Sequence, residues 1–231
     1  MKIGILETGI PPTSLVSRFG TYAAMMRSLL GGGYTFTTYD VAAGHLPERP
    51  EVCDAYVITG SAAGVYDDLP WLAPLTAFLR AAKGRVKLVG ICFGHQIMAQ
   101  AFGGRVVNSD KGWGLGLHVY TVSERASWMD EAESIAIAVS HQDQVVECPP
   151  QARVVAGSAF TPFGILAYDD GQAVSFQCHP EFGRDFASAL IETRRTIFPD
   201  PAFVEAALGS LERPDDSGRV GAWIRRFLDQ P

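Results

Sequence analysis

The chain has 231 residues, of which 47% are hydrophobic and 19% charged, with a net charge of −6. This excludes a largely disordered chain and suits one α/β domain with its own core, leaving no room for an additional ATP-using domain. The basic pairs Arg194-Arg195 and Arg225-Arg226 are isolated and no apolar run reaches membrane-spanning length, so no nucleic acid and no membrane is expected as a partner.

Lys2–Glu7 is a short apolar run broken by Glu7. It predicts a first core strand, not a secretory leader, and hence a cytoplasmic protein. Phe19–Leu30 predicts a helix stopped by Gly31-Gly32-Gly33, and Tyr34–Val41, rich in β-branched and aromatic residues, a strand. Ala55–Thr59 is another short strand. Trp71–Ala82 is a helix with Pro70 near its first turn and Gly84 just past its end. Val86–Ile91 is almost continuously apolar, as a strand covered on both faces is. Gly94–Phe102 follows as a helix ended by Gly103-Gly104. The alternation predicts a mostly parallel central sheet flanked by helices.

The second half changes character. Arg105–Asn108, Leu117–Val122, Ile135–Ser140, Arg153–Ser158, Ile165–Tyr168 and Ala173–Cys178 are short strands separated by turn residues. Some should be antiparallel additions that extend or decorate the sheet. Helix returns at Arg184–Thr196, Pro201–Leu208 and Val220–Leu228, with Ser210–Gly218 as a polar loop. Residues 1–231 are therefore read as one domain, with 201–231 as a helical extension.

The sharpest motif is Gly90-Ile91-Cys92-Phe93-Gly94-His95-Gln96, where a buried-type strand runs into a helix. This is a nucleophile elbow with cysteine as the nucleophile. A side chain there stands clear at the top of the sheet, and a Cβ on either flanking glycine would crowd the turn. The helix N-terminus favours thiolate, and the Phe93 N–H is free to stabilise an oxyanion. The base is sought in Gln177-Cys178-His179-Pro180-Glu181, again at a strand's C-terminal end. One residue separates His179 from Glu181, so the carboxylate can reach the ring.

Other histidines compete. His45 lies in a loop and His118 in a strand, neither with a carboxylate nearby, and His95 on the elbow helix should point away from the thiol. His141 also ends an apolar strand and stays a rival base. A metal set of Cys92, His95, His141 and His179 lacks the paired close spacings of zinc sites, so neither metal nor cofactor is expected. The four cysteines, Cys53, Cys92, Cys148 and Cys178, form no CxxC pair and read as free thiols.

Taken together, Gly90–Gln96 with Gly103-Gly104, Lys111-Gly112-Trp113-Gly114, Ser140–Val145 and Gln177–Phe182 make the chain resemble the class I glutamine amidotransferases. It looks especially like the stand-alone members named after the glutaminase domain of GMP synthase. The likeness runs from about residue 1 to about residue 200. It implies a flavodoxin-like fold in which Cys92 attacks the side-chain amide of glutamine. His179 would protonate the leaving ammonia and activate water, and Glu181 would orient His179. Gln96 would help hold the substrate, and the Ser140-His141 backbone would meet its α-carboxylate end. The second oxyanion donor falls in Thr59-Gly60-Ser61-Ala62, where family members commonly carry a second glycine. It stays open between Gly60 and Ser61.

No Walker-type loop and no synthetase region accompanies these motifs. The first reading is therefore a glutaminase that passes ammonia to a separate synthetase subunit. The alternative is a hydrolase of γ-glutamyl peptides or amides using the same triad, and a third is a regulatory protein on an inactive amidotransferase fold. Either enzyme takes glutamine or a γ-glutamyl small molecule.

Overall fold

The computed structural model describes residues 1–198 and 200–230. Strands β1 (Lys2–Glu7), β2 (Thr35–Asp40), β3 (Ala55–Ile58) and β4 (Lys87–Ile91) are parallel. Then come β5 (Arg105–Asn108), β6 (Gly114–Val122), β7 (Ser134–His141), β8 (Asp143–Glu147), β9 (Ala152–Gly157), β10 (Ile165–Tyr168) and β11 (Ala173–Phe176). One sheet has the order β2-β1-β3-β4-β11-β10-β9-β6-β7, and β5 pairs with β8 in a small second sheet. β11 is parallel to β4, while β10, β9, β6 and β7 continue antiparallel. The sheet is thus parallel early and antiparallel late, as the sequence predicts.

Both faces of the parallel half are covered. Ile3, Ile5, Val57, Val89 and Ile91 belong to one apolar cluster. Leu6, Tyr56, Ile58 and Leu88, which alternate with them along the strands, belong to the other. This two-sided burial is why β4 reads as an unbroken apolar run. The first face packs on α2 (Tyr22–Leu30) and α7 (Ser217–Asp229), the second on α3 (Leu72–Ala82) and α4 (Phe93–Ala101). A third cluster joins α1 (Thr13–Phe19), α5 (Arg184–Thr193) and α6 (Pro201–Ser210) to β6.

Several boundaries differ from the sequence reading. The helix predicted over Phe19–Leu30 starts at Tyr22, and a separate helix over Thr13–Phe19, which the sequence pattern does not announce, precedes it. Gly20 sits at φ 81°, and the Thr21 hydroxyl accepts the Ala24 N–H, so a second N-cap interrupts the run. β6 starts at Gly114 rather than Leu117. There Gly116 has φ 82°, and a Cβ on it would lie 2.3 Å from Ser210 Oγ. β8 escapes the sequence reading because its partner β5 lies far away in the chain.

The polar loop expected over Ser210–Gly218 is shorter, since α6 runs to Ser210 and α7 begins at Ser217. Asp216 fastens it to β7, donating its N–H to Ala136 O (2.7 Å) and accepting the Ala136 N–H (2.8 Å). α7 buries Val220, Trp223, Ile224, Phe227 and Leu228, one stripe at helical spacing. Lys87 of β4 donates to Phe227 O, Leu228 O and Gln230 O at its C-terminal end. Among the described residues no helix is long and apolar enough to cross a membrane.

Candidate active site

Cys92 joins β4 to α4 with φ 51° and ψ −101°. It is the only non-glycine residue with positive φ among the described residues. Such a conformation costs on the order of 1–3 kcal/mol and persists only where the surroundings enforce it. Here the Cys92 N–H donates to Phe176 O (2.7 Å), and Cys92 O accepts the Gln96 N–H (3.0 Å). The flanking glycines are forced by contact. A Cβ on Gly90 would stand 2.6 Å from the Gly94 carbonyl, and one on Gly94 would stand 2.3 Å from Ile58 O.

β11 lies beside β4 with Phe176 opposite Ile91. That register carries the chain from Cys92 to the neighbouring segment Gln177–Glu181 at the same end of the sheet. The His179 N–H donates to Ala138 O of β7 (2.9 Å). Its Nδ1–H donates to Glu181 Oε1 at 2.9 Å, with both side chains buried. The imidazole stacks on Phe182, with ring centroids 3.9 Å apart and planes 8° off parallel. Burial alone would lower the His179 pKa. Charge on the facing Cys92 sulfur and on the Glu181 carboxylate, with their hydrogen bonds, outweighs it and raises it to about 10. The structure therefore brings Cys92, His179 and Glu181 into one buried cluster.

The loop after β3 forms the opposite wall. Thr8 holds it from behind, its hydroxyl donating to Thr59 O (3.0 Å) and Gly60 O (3.3 Å). A trans peptide sets its N–H opposite its carbonyl. The N–H groups of Gly60 and Ser61 therefore both point away from Thr8, and both residues line a cleft with Cys92 and His179. Among the described residues no acceptor takes the N–H of Phe93, Gly60 or Ser61.

The remaining histidines separate cleanly. His95 is buried behind the elbow, its Nδ1 2.8 Å from Ser175 Oγ, and burial pushes its pKa down to about 3. His141 ends β7 and lines the cavity over Cys92. Its Nδ1 lies 3.1 Å from the Asp143 carbonyl. A carbonyl only accepts, so Nδ1 carries the proton and Nε2 the lone pair. Burial holds this ring neutral, with a pKa of about 3. Among the described residues, no group of three or more His, Cys, Asp and Glu side chains could hold a metal ion.

Gln96 departs from the simple expectation of a substrate-facing amide. Its Nε2 donates to Asp143 O (3.0 Å) and to Gln177 Oε1 (3.1 Å). Because the Asp143 carbonyl only accepts, the Gln96 amide cannot be turned round. Gln177 must then present its carbonyl to Gln96, and its NH2 group faces Cys92 Sγ at 3.6 Å. Gln96 Oε1 is left without a protein donor among the described residues. Gln177 is a residue that the sequence reading quoted but gave no part to. Only the side-chain network reveals its place.

Above Cys92 opens a cavity of about 450 Å³, lined among others by Gln96, Asn108, Trp113, Ser140, His141, Asp143 and Arg194. Tyr66, 55% exposed, reaches across from the loop after β3 and donates to both carboxylate oxygens of Asp143 (2.9 and 2.8 Å). Asn108 donates to the same carboxylate (2.9 Å), so the tip Tyr66-Asp67-Asp68 is latched onto the turn between β7 and β8.

A family model described as Glutamine amidotransferase class-I matches residues 36–192. A glutamine amidotransferase-like protein of Schizosaccharomyces pombe is 30% identical over 98% of this chain and 98% of its own. Gamma-glutamyl peptidase 2 of Arabidopsis thaliana is 29% identical over 91% of this chain and 88% of its own. The glutamine-hydrolyzing GMP synthase of Thermus thermophilus is 34% identical over 59% of this chain but only 25% of its own. Among solved structures, a glutamine amidotransferase from Thermotoga maritima superposes with a TM-score of 0.79 at 19% identity, covering 99% of this chain and 98% of that one.

Proposed function

The chain belongs to the class I glutamine amidotransferase family, and we propose that it is a cysteine-dependent amidohydrolase cleaving γ-glutamyl amides through a thioester on Cys92. The observation that carries this reading is the buried His179–Glu181 hydrogen bond of 2.9 Å set beside a thiol on a strained elbow.

Cys92 Sγ, its proton held by His179, attacks the side-chain carbonyl carbon of the γ-glutamyl group. The Phe93 N–H, with that of Gly60 or Ser61, receives the developing oxyanion. His179 gives its proton to the leaving nitrogen, the C–N bond breaks, and a γ-glutamyl thioester remains. His179 then takes a proton from water as it attacks the thioester, which releases glutamate and restores the thiol. Glu181 fixes the tautomer of His179 and stabilises its imidazolium. Gln96 Oε1 offers an acceptor to the substrate's α-ammonium, and the Ser140-His141 backbone meets its α-carboxylate. Gln177 steadies the sulfur. No cofactor takes part, and residues 1–231 act as one domain.

The leaving group is amine-bearing and larger than ammonia. A cavity of about 450 Å³ lies in the range of sites for molecules well above a single amino acid in size, and the likeness to a γ-glutamyl peptidase spans 91% of the chain. A second reading is a glutaminase that hands ammonia to a separate synthetase subunit in the cytoplasm. It is favoured by the likeness to GMP synthase, of which only 25% is matched. The purified protein is assayed with glutamine and γ-glutamylglycine, and limited iodoacetamide labelling is mapped with and without each. Hydrolysis of the dipeptide, with Cys92 labelled first and protected by substrate, is expected. Brisk glutamine hydrolysis with no dipeptide turnover favours the second reading. Labelling of Cys178 first overturns the nucleophile assignment.

A further inference from the structure

The cavity over Cys92 has two unlike ends. One end is amide and carboxylate, made of Gln96, Asn108, Gln142 and Asp143 under Tyr66. The other is Arg194 with Trp113 and Ile197. Arg194, just past the end of α5, is the only arginine or lysine among the described residues that line this cavity. Among the described residues its guanidinium has no hydrogen-bond or ion-pair partner, whereas its neighbour Arg195 is paired with Glu192 and Glu205. Arg194 also lines the narrow cleft that holds Cys92, His179 and Tyr22. Burial raises the Tyr22 pKa to about 12, with the Arg194 charge opposing it. A buried phenol and a cation without a protein partner among the described residues therefore share with His179 the cleft that holds the nucleophile.

The side of His179 is where the leaving group must lie, because His179 has to reach the departing nitrogen to protonate it. The γ-glutamyl half then runs toward the amide end, where Gln96 Oε1 is open. We propose that Arg194, with Tyr22 beside it, forms a carboxylate-binding subsite for the leaving group. The preferred substrates are γ-glutamyl amino acids and peptides whose leaving amine carries a free carboxylate close to the scissile nitrogen. Trp113 and Ile197 give the leaving residue's side chain an apolar wall. The inference rests on the hydrolase reading above and adds the residue that selects among its substrates. A guanidinium suits the task because its planar fork takes a carboxylate through two parallel hydrogen bonds.

The test compares γ-glutamylglycine with γ-glutamylmethylamide, which differ only in the carboxylate, together with glutamine. The quantity read is the ratio of kcat/KM for the glycine over the methylamide compound. In the natural protein the ratio should be about tenfold or more, the usual worth of a charge-assisted hydrogen bond. Arg194→Ala should bring the ratio close to one, and Arg194→Lys should recover part of it. A ratio near one in the natural protein overturns the inference without needing any variant, and so does a ratio that survives Arg194→Ala. An equal loss for both compounds in Arg194→Ala overturns it as well, placing Arg194 on the γ-glutamyl half. In each of these cases turnover of the methylamide leaves the hydrolase reading standing. Absence of turnover for all three compounds, with Cys92 intact, overturns both.

Discussion

The two sides of the active site, at the ends of β4 and of β11, place their reactive groups by different means. On the β4 side, main chain does the placing. Cys92 stands where it does because β4 turns sharply into α4, because Gly90 and Gly94 leave no space for a Cβ, and because the backbone bonds to Phe176 and Gln96 enforce a positive φ. On the β11 side, side chains do most of the placing. His179 is held by a carboxylate at 2.9 Å and by the face of Phe182, and Gln177 by the amide of Gln96. A group positioned by backbone tolerates changes in its own side chain. A group positioned by neighbouring side chains fails when any one of them is shortened.

The largest effects should come from the chemistry, and they separate the two sides. Cys92→Ala should lower turnover of any γ-glutamyl amide about ten-thousandfold or more, as loss of a nucleophile does in comparable triads. The strain at φ 51° should be relieved in Cys92→Gly, so that this variant is more stable than the natural protein by about 1 kcal/mol. Thermal unfolding checks it, and an unchanged or lower Tm would show that the elbow stores no strain.

His179→Asn should lower kcat about a hundredfold to ten-thousandfold. It should also change how stability depends on pH. The folded-state pKa of His179, raised to about 10, lies above the ordinary histidine value of about 6.5. The stabilisation is thus fully present below about pH 6.5 and lost as the pH rises toward 10. Relative to His179→Asn, the natural protein should lose stability across that interval. Parallel urea-unfolding curves for the two proteins from pH 6 to pH 10 would break this account.

Smaller effects test the backbone side. Gly94→Ala drives a Cβ to 2.3 Å from Ile58 O and should cost about 2–3 kcal/mol, at the upper end of ordinary overpacking. Gly209→Ala is the same substitution in α6, where nothing lies within 4 Å. It should add about 0.5–1 kcal/mol through helix propensity alone. Urea unfolding reads both, and equal signs would mean that the elbow yields more readily than its contacts indicate.

The smallest expected effect lies at the rim. Tyr66→Phe removes the exposed latch to Asp143 and should raise KM about two- to fivefold with kcat within twofold, the scale of one solvent-exposed hydrogen bond. A drop in kcat at constant KM would mean that the latch reaches the chemistry through Asp143 and Gln96.

The same contrast explains what was legible in the sequence. β4, α4 and the elbow between them were readable because two-sided burial demands a continuous apolar run, and a strained turn demands glycines, within a single short segment. His179 and Glu181 were readable because one residue separates them. α1 was not legible because its seven residues, Thr13–Phe19, mix polar and apolar side chains behind Pro11-Pro12, and Gly20-Thr21 ends it before α2 begins. β8 was missed because strand identity there is conferred by β5.

By itself, then, the sequence determined the fold class, the order of most of the elements, the elbow and the pairing of His179 with Glu181, since each depends on residues close together in the chain. Only the tertiary structure decided that Gln96 turns its amide to Asp143 and Gln177. It alone decided that Thr8 holds the Gly60-Ser61 loop, that Tyr66 closes over Asp143, and that Arg194, without a side-chain partner among the described residues, stands in the cavity wall with Trp113. These are contacts between segments brought together by sheet register and helix packing. Side-chain orientation at such contacts depends on which donors and acceptors face each other, and no local pattern of residues records that.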